Sequence, residues 1–401
     1  MKKLIKDIVV RMDLYPRQDV DNKKIQEYSE NTELLPSIII NQDNILIDGL
    51  HRLRANKQAG NQEIEVIVEK TVSENEIYLR AIETNATHGL QLSMKDKQSV
   101  AVKLYDLKNR ERLIKSLSVA PRTFDGWVSN KAKQLKEQKE EEVISLYLKC
   151  QTQQEISDKT GLSQAKISEI ITNCKFAVPD NFKPFLYNIW NTSKEENATK
   201  HFGLFPEVFF ENLLYYYTEP FDVVYDPFVG GGTTIDMCKK WMRRYYVSDL
   251  NPIPAREEEI KKWDINQGLP NDLPSPKFVF LDPPYWKQAE GKYSKDKEDL
   301  ANMSLDNFYD SIETIIKNLK KKMKEGYVAF VIQPTQWNND KKFEDHIIKV
   351  INIFEKNSFK EEMRYSLPYS SQQCTPQMVN IAKQEKFPLN LIRDLVVFKK
   401  K

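Results

Sequence analysis

The sequence predicts an α/β protein. A doubly wound, mostly parallel sheet fills the C-terminal half, preceded by a smaller α+β region and a helical segment. Three observations carry this reading. From about residue 221 onward, short apolar runs alternate with amphipathic helical patterns, as strands joined by crossover helices require. Only 12 glycines occur in the chain, yet three are consecutive, Gly230 to Gly232, directly after the first of those runs. The run KFVFL then ends on Asp282-Pro283-Pro284-Tyr285, where proline fixes the torsion and removes a backbone donor, so a strand must leave the sheet abruptly.

Composition narrows the class. With 401 residues, 40% of them hydrophobic, there is room for two or three domains with real cores. A formal net charge of +2 announces no global polyanion binder, so any nucleic-acid contact must come from local patches. Cys150, Cys174, Cys238 and Cys374 show no C-x-x-C spacing, which argues against a disulfide framework and a zinc site. The N-terminal MKKLIKDIVV lacks an apolar run of signal-peptide length, and no stretch reaches membrane length. A soluble, cytoplasmic chain with no metal and no membrane partner is expected.

The C-terminal elements come in order. FDVVYDPFVGGGTTIDMCKKW, residues 221 to 241, reads as strand, Asp226-Pro227-Phe228, glycine turn, Thr233-Thr234 and helix. Gly230 and Gly232 would let the backbone approach a ligand, and the helix start would offer unpaired N-H groups; a plain strand-to-helix turn accounts for the same residues. RRYYVSDLNP puts Asp249 at the end of a second strand, about 17 residues past Gly232, near the spacing at which an acid holds ribose hydroxyls. Asp264, in KKWDINQGLP, could accept from an adenine amino group or simply close a turn. Asp282 follows at the end of the next strand, then an amphipathic helix around 306 to 323 and the strand YVAFVIQP.

DPFVGGGTT followed by DPPY resembles the amino-group DNA methyltransferases, which transfer a methyl from S-adenosylmethionine to N6 of adenine or N4 of cytosine. The resemblance covers about residues 198 to 401. KHFGLFPEVFFENLLYYYTEP resembles the segment that in this family lines the methionine end of the cofactor pocket, which implies His201, Phe202 and Phe205 there. IRDLVVFKK resembles the closing strand. The resemblance implies a Rossmann-like methyltransferase domain binding S-adenosylmethionine through these residues with Asp226, Pro227, Phe228, Gly230, Gly232, Thr233, Thr234, Asp249 and Asp264. Asp282, Pro283, Pro284 and Tyr285 would be catalytic. An exocyclic amine is a poor nucleophile because its lone pair is delocalised, so Asp282 and the Pro283 carbonyl would accept its hydrogens while Tyr285 stacks on the extruded base. The stretch after the fifth strand leaves no space for a large target-recognition domain. The polar loop at 366 to 380 could touch DNA or be a surface hairpin.

The N-terminal half offers two further motifs. IDGLHRLRA, within a strand-turn-strand-helix-strand pattern at 35 to 68, resembles the nucleotide-binding box of ParB-like domains, with Gly49 opening a helix and His51, Arg52 and Arg54 at the phosphate-holding positions. Residues 81 to 104 resemble that family's second box. Basic residues at a helix start oppose its dipole, which favours an anion there; Leu50 replaces the usual glutamate, which puts a hydrolytic switch in doubt. The resemblance implies CTP, another nucleotide or a DNA phosphate as ligand. TQQEISDKTGLSQAKISEIITN, residues 152 to 173, fits a helix-turn-helix, with Gly161 at the turn and Gln164, Lys166, Ser168 and Glu169 available to a major groove; such units also serve for packing alone. LSVAPRTFDGWVSN is a weaker echo, the second half of another such unit, and the charge run at 131 to 143 reads as a solvated helix face.

The expected organisation is a ParB-like domain at 1–105, a helical DNA-binding region at 106–178 and a methyltransferase domain at 179–401. Double-stranded DNA is the expected partner, with room for a homodimer. A non-enzymatic ParB-like partition or regulatory protein, a cytosine-N4 enzyme, and methylation of RNA or of a protein amide stay open as alternatives.

Overall fold

The structure, a computed structural model, describes residues 1–16, 20–88, 92–191, 205–287, 299–335, 344–368 and 375–401, without the side chains of 85–88. His201, Phe202 and Cys374 lie outside the described residues, as do residues 369–374 of the polar loop at 366 to 380. The chain forms two compact units, Met1–Glu140 and Glu141–Lys401. That division runs through the 106–178 region which the sequence analysis set apart as one helical module.

In the first unit β1 (Lys2–Leu4), β2 (Ile38–Asn41), β3 (Leu46–Asp48) and β4 (Glu63–Glu69) form a sheet in the order β1-β4-β2-β3. The β2–β3 hairpin is held by Asn41, whose Oδ1 accepts from the backbone N-H groups of Asp43 and Ile45, while Asn44 takes the left-handed conformation of the turn. The alternation of Glu63, Ile64, Glu65 and Val66 turns the apolar pair of β4 into a core shared with Ile38, Ile40, Leu46 and Leu50. The helices are α1 (Asn22–Ser29), α2 (Leu50–Gln58), α3 (Glu74–His88), α4 (Met94–Leu104), α5 (Arg110–Leu117) and α6 (Pro121–Leu148). Between α5 and α6 the chain turns at Ser118, whose φ is 48°, and Leu113, Leu117, Phe124 and Val128 pack with Leu104 of α4. The echo at 117 to 130 is therefore the turn and second helix of a three-helix unit.

The second unit opens with the end of α6, then α7 (Gln153–Thr160) and α8 (Gln164–Asn173). Thr152 and Glu155 close a capping box on α7, Gly161 ends it at φ 69°, and Ser163 caps α8. The Ser157 hydroxyl donates to the Leu162 carbonyl across the turn. Ile156, Ile167 and Ile170 bury against Val143, so the tail of α6 is the supporting helix of this helix-turn-helix. The solvated face read from 131 to 143 stops where Val143 begins to face the core.

A seven-stranded sheet follows, built from β5 (Val223–Asp226), β6 (Arg244–Asp249), β7 (Lys261–Lys262), β8 (Phe278–Leu281), β9 (Tyr327–Ile332), β10 (Phe359–Pro368) and β11 (Ile392–Lys400), in the order β10-β11-β9-β8-β5-β6-β7. β7, β6, β5, β8 and β9 are parallel, and β11 enters antiparallel between β9 and β10. Helices α9 (Glu207–Tyr217), α10 (Thr233–Lys240), α11 (Leu305–Lys322), α12 (His346–Lys356) and α13 (Pro376–Glu385) complete it. Alternate strand residues serve opposite faces. Val224, Phe278, Phe280, Ala329 and Val331 meet α9 and α10, and Tyr225, Val279, Leu281, Val328 and Phe330 meet α11 and α12. This is a doubly wound Rossmann-like sheet whose order reverses between β5 and β8, and the carboxyl ends of those two strands frame the crevice where such folds hold ligands.

Candidate active site

The crevice begins with the glycine loop. Asp226, the last residue of β5, is buried; its two oxygens accept from the Phe228 N-H at 2.9 Å and from the Thr234 hydroxyl at 2.5 Å. These bonds brace the loop from below, so Asp226 and Thr234 shape the turn from beneath it. Gly232 caps α10 with φ 94°, and a Cβ there would stand 2.9 Å from the Arg256 side chain. Arg256 is held in place by a two-pronged pair with Asp236, 2.6 Å at its shorter contact. Asp249 ends β6 and accepts from the Gly230 N-H at 3.0 Å and the Asn251 N-H at 2.9 Å, which ties the second strand to the loop. Each of its oxygens keeps acceptor capacity for a further donor.

Asp282 leaves β8 directly across the switch point. Its Oδ1 accepts from the Tyr285 hydroxyl at 2.9 Å. Pro283 is buried, and Pro284 and Tyr285 are half-buried, the tyrosine packing on the core beneath. Burial pushes the Asp282 carboxyl up to about 6, opposed by the Arg393 guanidinium and the Tyr285 bond. The side chain keeps partial access to the crevice, so water tempers that shift. Burial also lifts Asp226 to about 7, and the charges of Asp282 and Asp249 push in the same direction, against the bonds from Thr234 and Phe228. Three carboxyl groups thus converge on one crevice edge, and the buried Asp226 is the one whose ionisation the other two oppose.

Several residues here escaped the sequence reading. Arg393, at the start of β11, is buried beside Asp282, with its guanidinium carbon 5.8 Å from the centre of the Phe205 ring. Phe205 in turn packs on Phe280 at 4.8 Å. Behind the corner, Thr335 donates to the Trp286 carbonyl at 3.1 Å, the buried His346 lies 2.9 Å from Thr335 and 2.8 Å from the Tyr309 hydroxyl, and the Trp286 indole donates to the Met303 carbonyl. Contacts 49 residues apart in sequence leave no local signal.

Asp264 follows β7 and caps its own turn, accepting from the Asn266 N-H at 2.9 Å. The crevice suits S-adenosylmethionine on observations of this structure. Its acid cluster matches a cationic ligand, the loop at Gly230 to Gly232 permits close backbone approach, and Phe205 with Phe280 gives an apolar floor. Asp249, Gly230, Gly232, Thr233, Pro227, Phe228 and Phe205 are the residues that would hold it. Among the described residues, no group of three or more His, Cys, Asp or Glu is arranged to hold a metal ion, and no helix is long and apolar enough to cross a membrane.

The ParB-like box in the first unit is differently occupied. Gly49 opens α2 with φ 104°, and a Cβ there would collide with Ile38 at 2.5 Å. Arg52 turns inward, donating to the Pro36 and Ser37 carbonyls at 3.0 and 2.7 Å and pairing with Asp48 at 2.6 Å. The Arg52 guanidinium thus clamps this chain's own acceptors, joining the start of α2 to the segment before β2. His51 Nε2 accepts from the Asp21 N-H at 3.1 Å, at the cap of α1, and Arg54 is exposed. In the helix-turn-helix, Gln164 and Ser168 are exposed, and Lys166 is half-buried and paired with Glu169 at 2.7 Å.

The family model described as DNA methylase matches residues 41–256, more than half of the chain, a span that includes the glycine loop and ends before Asp282. The type II methyltransferase M.XycI of Xanthomonas campestris pv. cyanopsidis is 37% identical over 65 residues, 16% of this chain and 22% of that protein. The transcriptional regulator NovG of Streptomyces niveus is 31% identical over 91 residues, 22% of this chain and 28% of that protein. The chain thus spans less than a third of the length of these curated relatives. Chromosome-partitioning protein ParB of Caulobacter crescentus, solved with its centromeric parS site, overlaps 42% of this chain and 97% of that one at 14% identity and a TM-score of 0.25, short of a shared overall fold. With the switch-point crevice, the glycine loop and a match over more than half its length, the chain belongs to the N6/N4 DNA methylase family.

Proposed function

We propose that the chain methylates DNA, using S-adenosylmethionine to modify the exocyclic amine of a base turned out of the duplex, adenine N6 foremost. The observation that carries this is Asp282 with its Tyr285 partner at the end of β8, facing the glycine loop across the switch point. The cofactor supplies an electrophilic methyl group on a sulfonium. Asp282 accepts one amine hydrogen and the Pro283 carbonyl the other, which turns the nitrogen lone pair out of conjugation with the ring. A carboxyl near 6 is ionised at neutral pH, so it accepts that bond, and it can take the proton that the amine sheds once methylated. The Tyr285 hydroxyl holds the acid in place, and its ring is the surface on which the extruded base stacks, which offsets roughly 1 to 3 kcal/mol of the extrusion cost. Asp249 binds the ribose hydroxyls and Asp264 the adenine amino group.

In the same proposal the helix-turn-helix binds duplex DNA through Gln164, Lys166 and Ser168, and the box around Gly49 takes a nucleotide such as CTP or a DNA phosphate on the Arg54 side. The three-part division at 105 and 178, a homodimer and a cytoplasmic setting belong to this reading. The similarity to NovG supports a second one, a non-enzymatic DNA-binding regulator.

Digesting DNA from cells that express wild type or Asp282→Ala to nucleosides, with mass detection, tests both. N6-methyladenine or N4-methylcytosine should appear with wild type only, and its identity names the base. Neither appearing, with folded protein that binds cofactor, transfers the weight to the regulator or to a non-DNA amine.

A further inference from the structure

Resting on that reading, we infer that the DNA sequence contacted by the α7–α8 helix-turn-helix lies outside the immediate flanks of the methylated base. The reason is where this unit is built into the sheet. β5 and β6 run parallel, with Val223 beside Arg244 at one edge and Asp226 beside Val247 toward the other. The crevice acids Asp226, Asp249 and Asp282 all stand at the carboxyl edge. The aromatic contacts that seat the helix-turn-helix fall at the opposite edge, and Lys149 just past the end of α6 also reaches Glu259, at 4.0 Å. The Tyr147 carbonyl accepts from Arg244 at 3.3 Å, the Arg244 guanidinium lies 4.4 Å from the centre of the Tyr147 ring, and that ring meets Phe221 edge-on at 5.5 Å. Just beyond α8, Phe176 packs against Trp241 and Arg243, where α10 ends and β6 begins.

These contacts are embedded in the core. Leu148 belongs to the apolar cluster under α9 and α10, and Ile144 packs on both that cluster and the one inside the helix-turn-helix. The unit is therefore fixed on the sheet, and its distance from the crevice is a property of the fold. From Arg244 to Asp249 the strand advances five residues, about 17 Å at roughly 3.3 Å per residue. At about 3.4 Å per base pair that is about five base pairs, half a turn of the duplex, before the thickness of the helices is added. A base seated against Asp282 and the groove occupied by α8 are thus separate places on DNA. The helix-turn-helix selects where the protein resides, and the crevice with its own loops selects which base reacts.

The experiment is methylation of a randomised duplex library by the full chain, read at base resolution, for wild type and the triple variant Gln164→Ala, Lys166→Ala, Ser168→Ala. Two preferred blocks are expected with wild type, one around the modified base and one displaced by at least about five base pairs, and the triple variant should lose only the displaced block. A changed preference at the bases adjoining the modified one would overturn the inference. A second measurement does not depend on turnover. Photocrosslinking amino acids placed at Ser168 or at Lys287 should mark positions at least about five base pairs apart on bound duplex, and coincident marks would overturn it as well. Crosslinks without any methylation would sink the enzymatic reading while still deciding the placement.

Discussion

Two turns in this molecule share one local design and are surrounded by different side chains. At Asp48-Gly49 and again at Asp226 to Gly232, a strand ends on aspartate and a helix opens on a left-handed glycine, φ 104° and 94°. In the second unit Asp249 and Asp282 stand near the loop's own acid, which is driven up to about 7, while Arg256 lies against Gly232 and is paired with Asp236. In the first unit the neighbours are Arg52, Arg54 and His51, and Arg52 already spans Asp48 and two carbonyls. The glycine supplies backbone geometry alone, and the charges brought in by other elements decide what the turn can hold.

The two glycines should respond differently to substitution. Gly49→Ala should destabilise the first unit by roughly 3 kcal/mol, since a strained torsion is joined by collision with a buried isoleucine, and Arg52→Ala should not rescue it. Gly232→Ala meets the far end of Arg256 instead, so it should cost about 1 to 2 kcal/mol and recover partly with Arg256→Ala. Urea unfolding of the four variants decides this, and equal rescue at both turns would erase the distinction.

Arg52→Ala should cost about 2 kcal/mol of stability, because Asp48 and two carbonyls lose a mostly buried partner. Arg54→Ala should leave stability unchanged and weaken nucleotide or phosphate binding several-fold, measured by titration with CTP and with short duplex. If Arg52→Ala instead lost binding while folding normally, the clamp assignment would fail.

The acid crevice predicts a pH response. Asp282 must be ionised to accept from the amine, so methyl transfer should rise about tenfold per pH unit below about 6 and level off above it. Stability runs the other way. Folded-state values near 6 and 7 lie above those of the unfolded chain, so the native state holds more protons between about pH 4 and 7, and stability falls as pH rises through that window. A cationic ligand in the crevice should flatten that fall, which thermal melts with and without S-adenosylmethionine would show.

Most of the sheet was legible because its signals are local. Short continuous apolar runs, the glycine cluster and the proline exit each need only a few neighbouring residues. The helix-turn-helix was legible for the same reason, through its turn glycine and its isoleucine spacing. What escaped depends on distant pairing. Arg393 reads as one charged residue in a closing strand, and only the antiparallel insertion of β11 between β9 and β10 brings it to Asp282. The partners of Arg52, the Asp48 carboxylate and the Pro36 and Ser37 carbonyls, are likewise supplied by the fold. The tail of α6 was hidden by the charge run before it, which masks the apolar positions that begin at Val143.

The placement of β11 also sets the order of events during synthesis. Its nine residues pair with strands on both sides, so the sheet stays open until residue 400 has left the ribosome. Asp282 is made 111 residues before Arg393, roughly 5 to 20 s earlier at bacterial elongation rates of about 5 to 20 residues per second. Until then the nascent chain carries its acidic corner without the arginine and exposes both flanks of the gap between β9 and β10. That interval is when chaperone capture or mispairing of those edges would compete with completion of the domain.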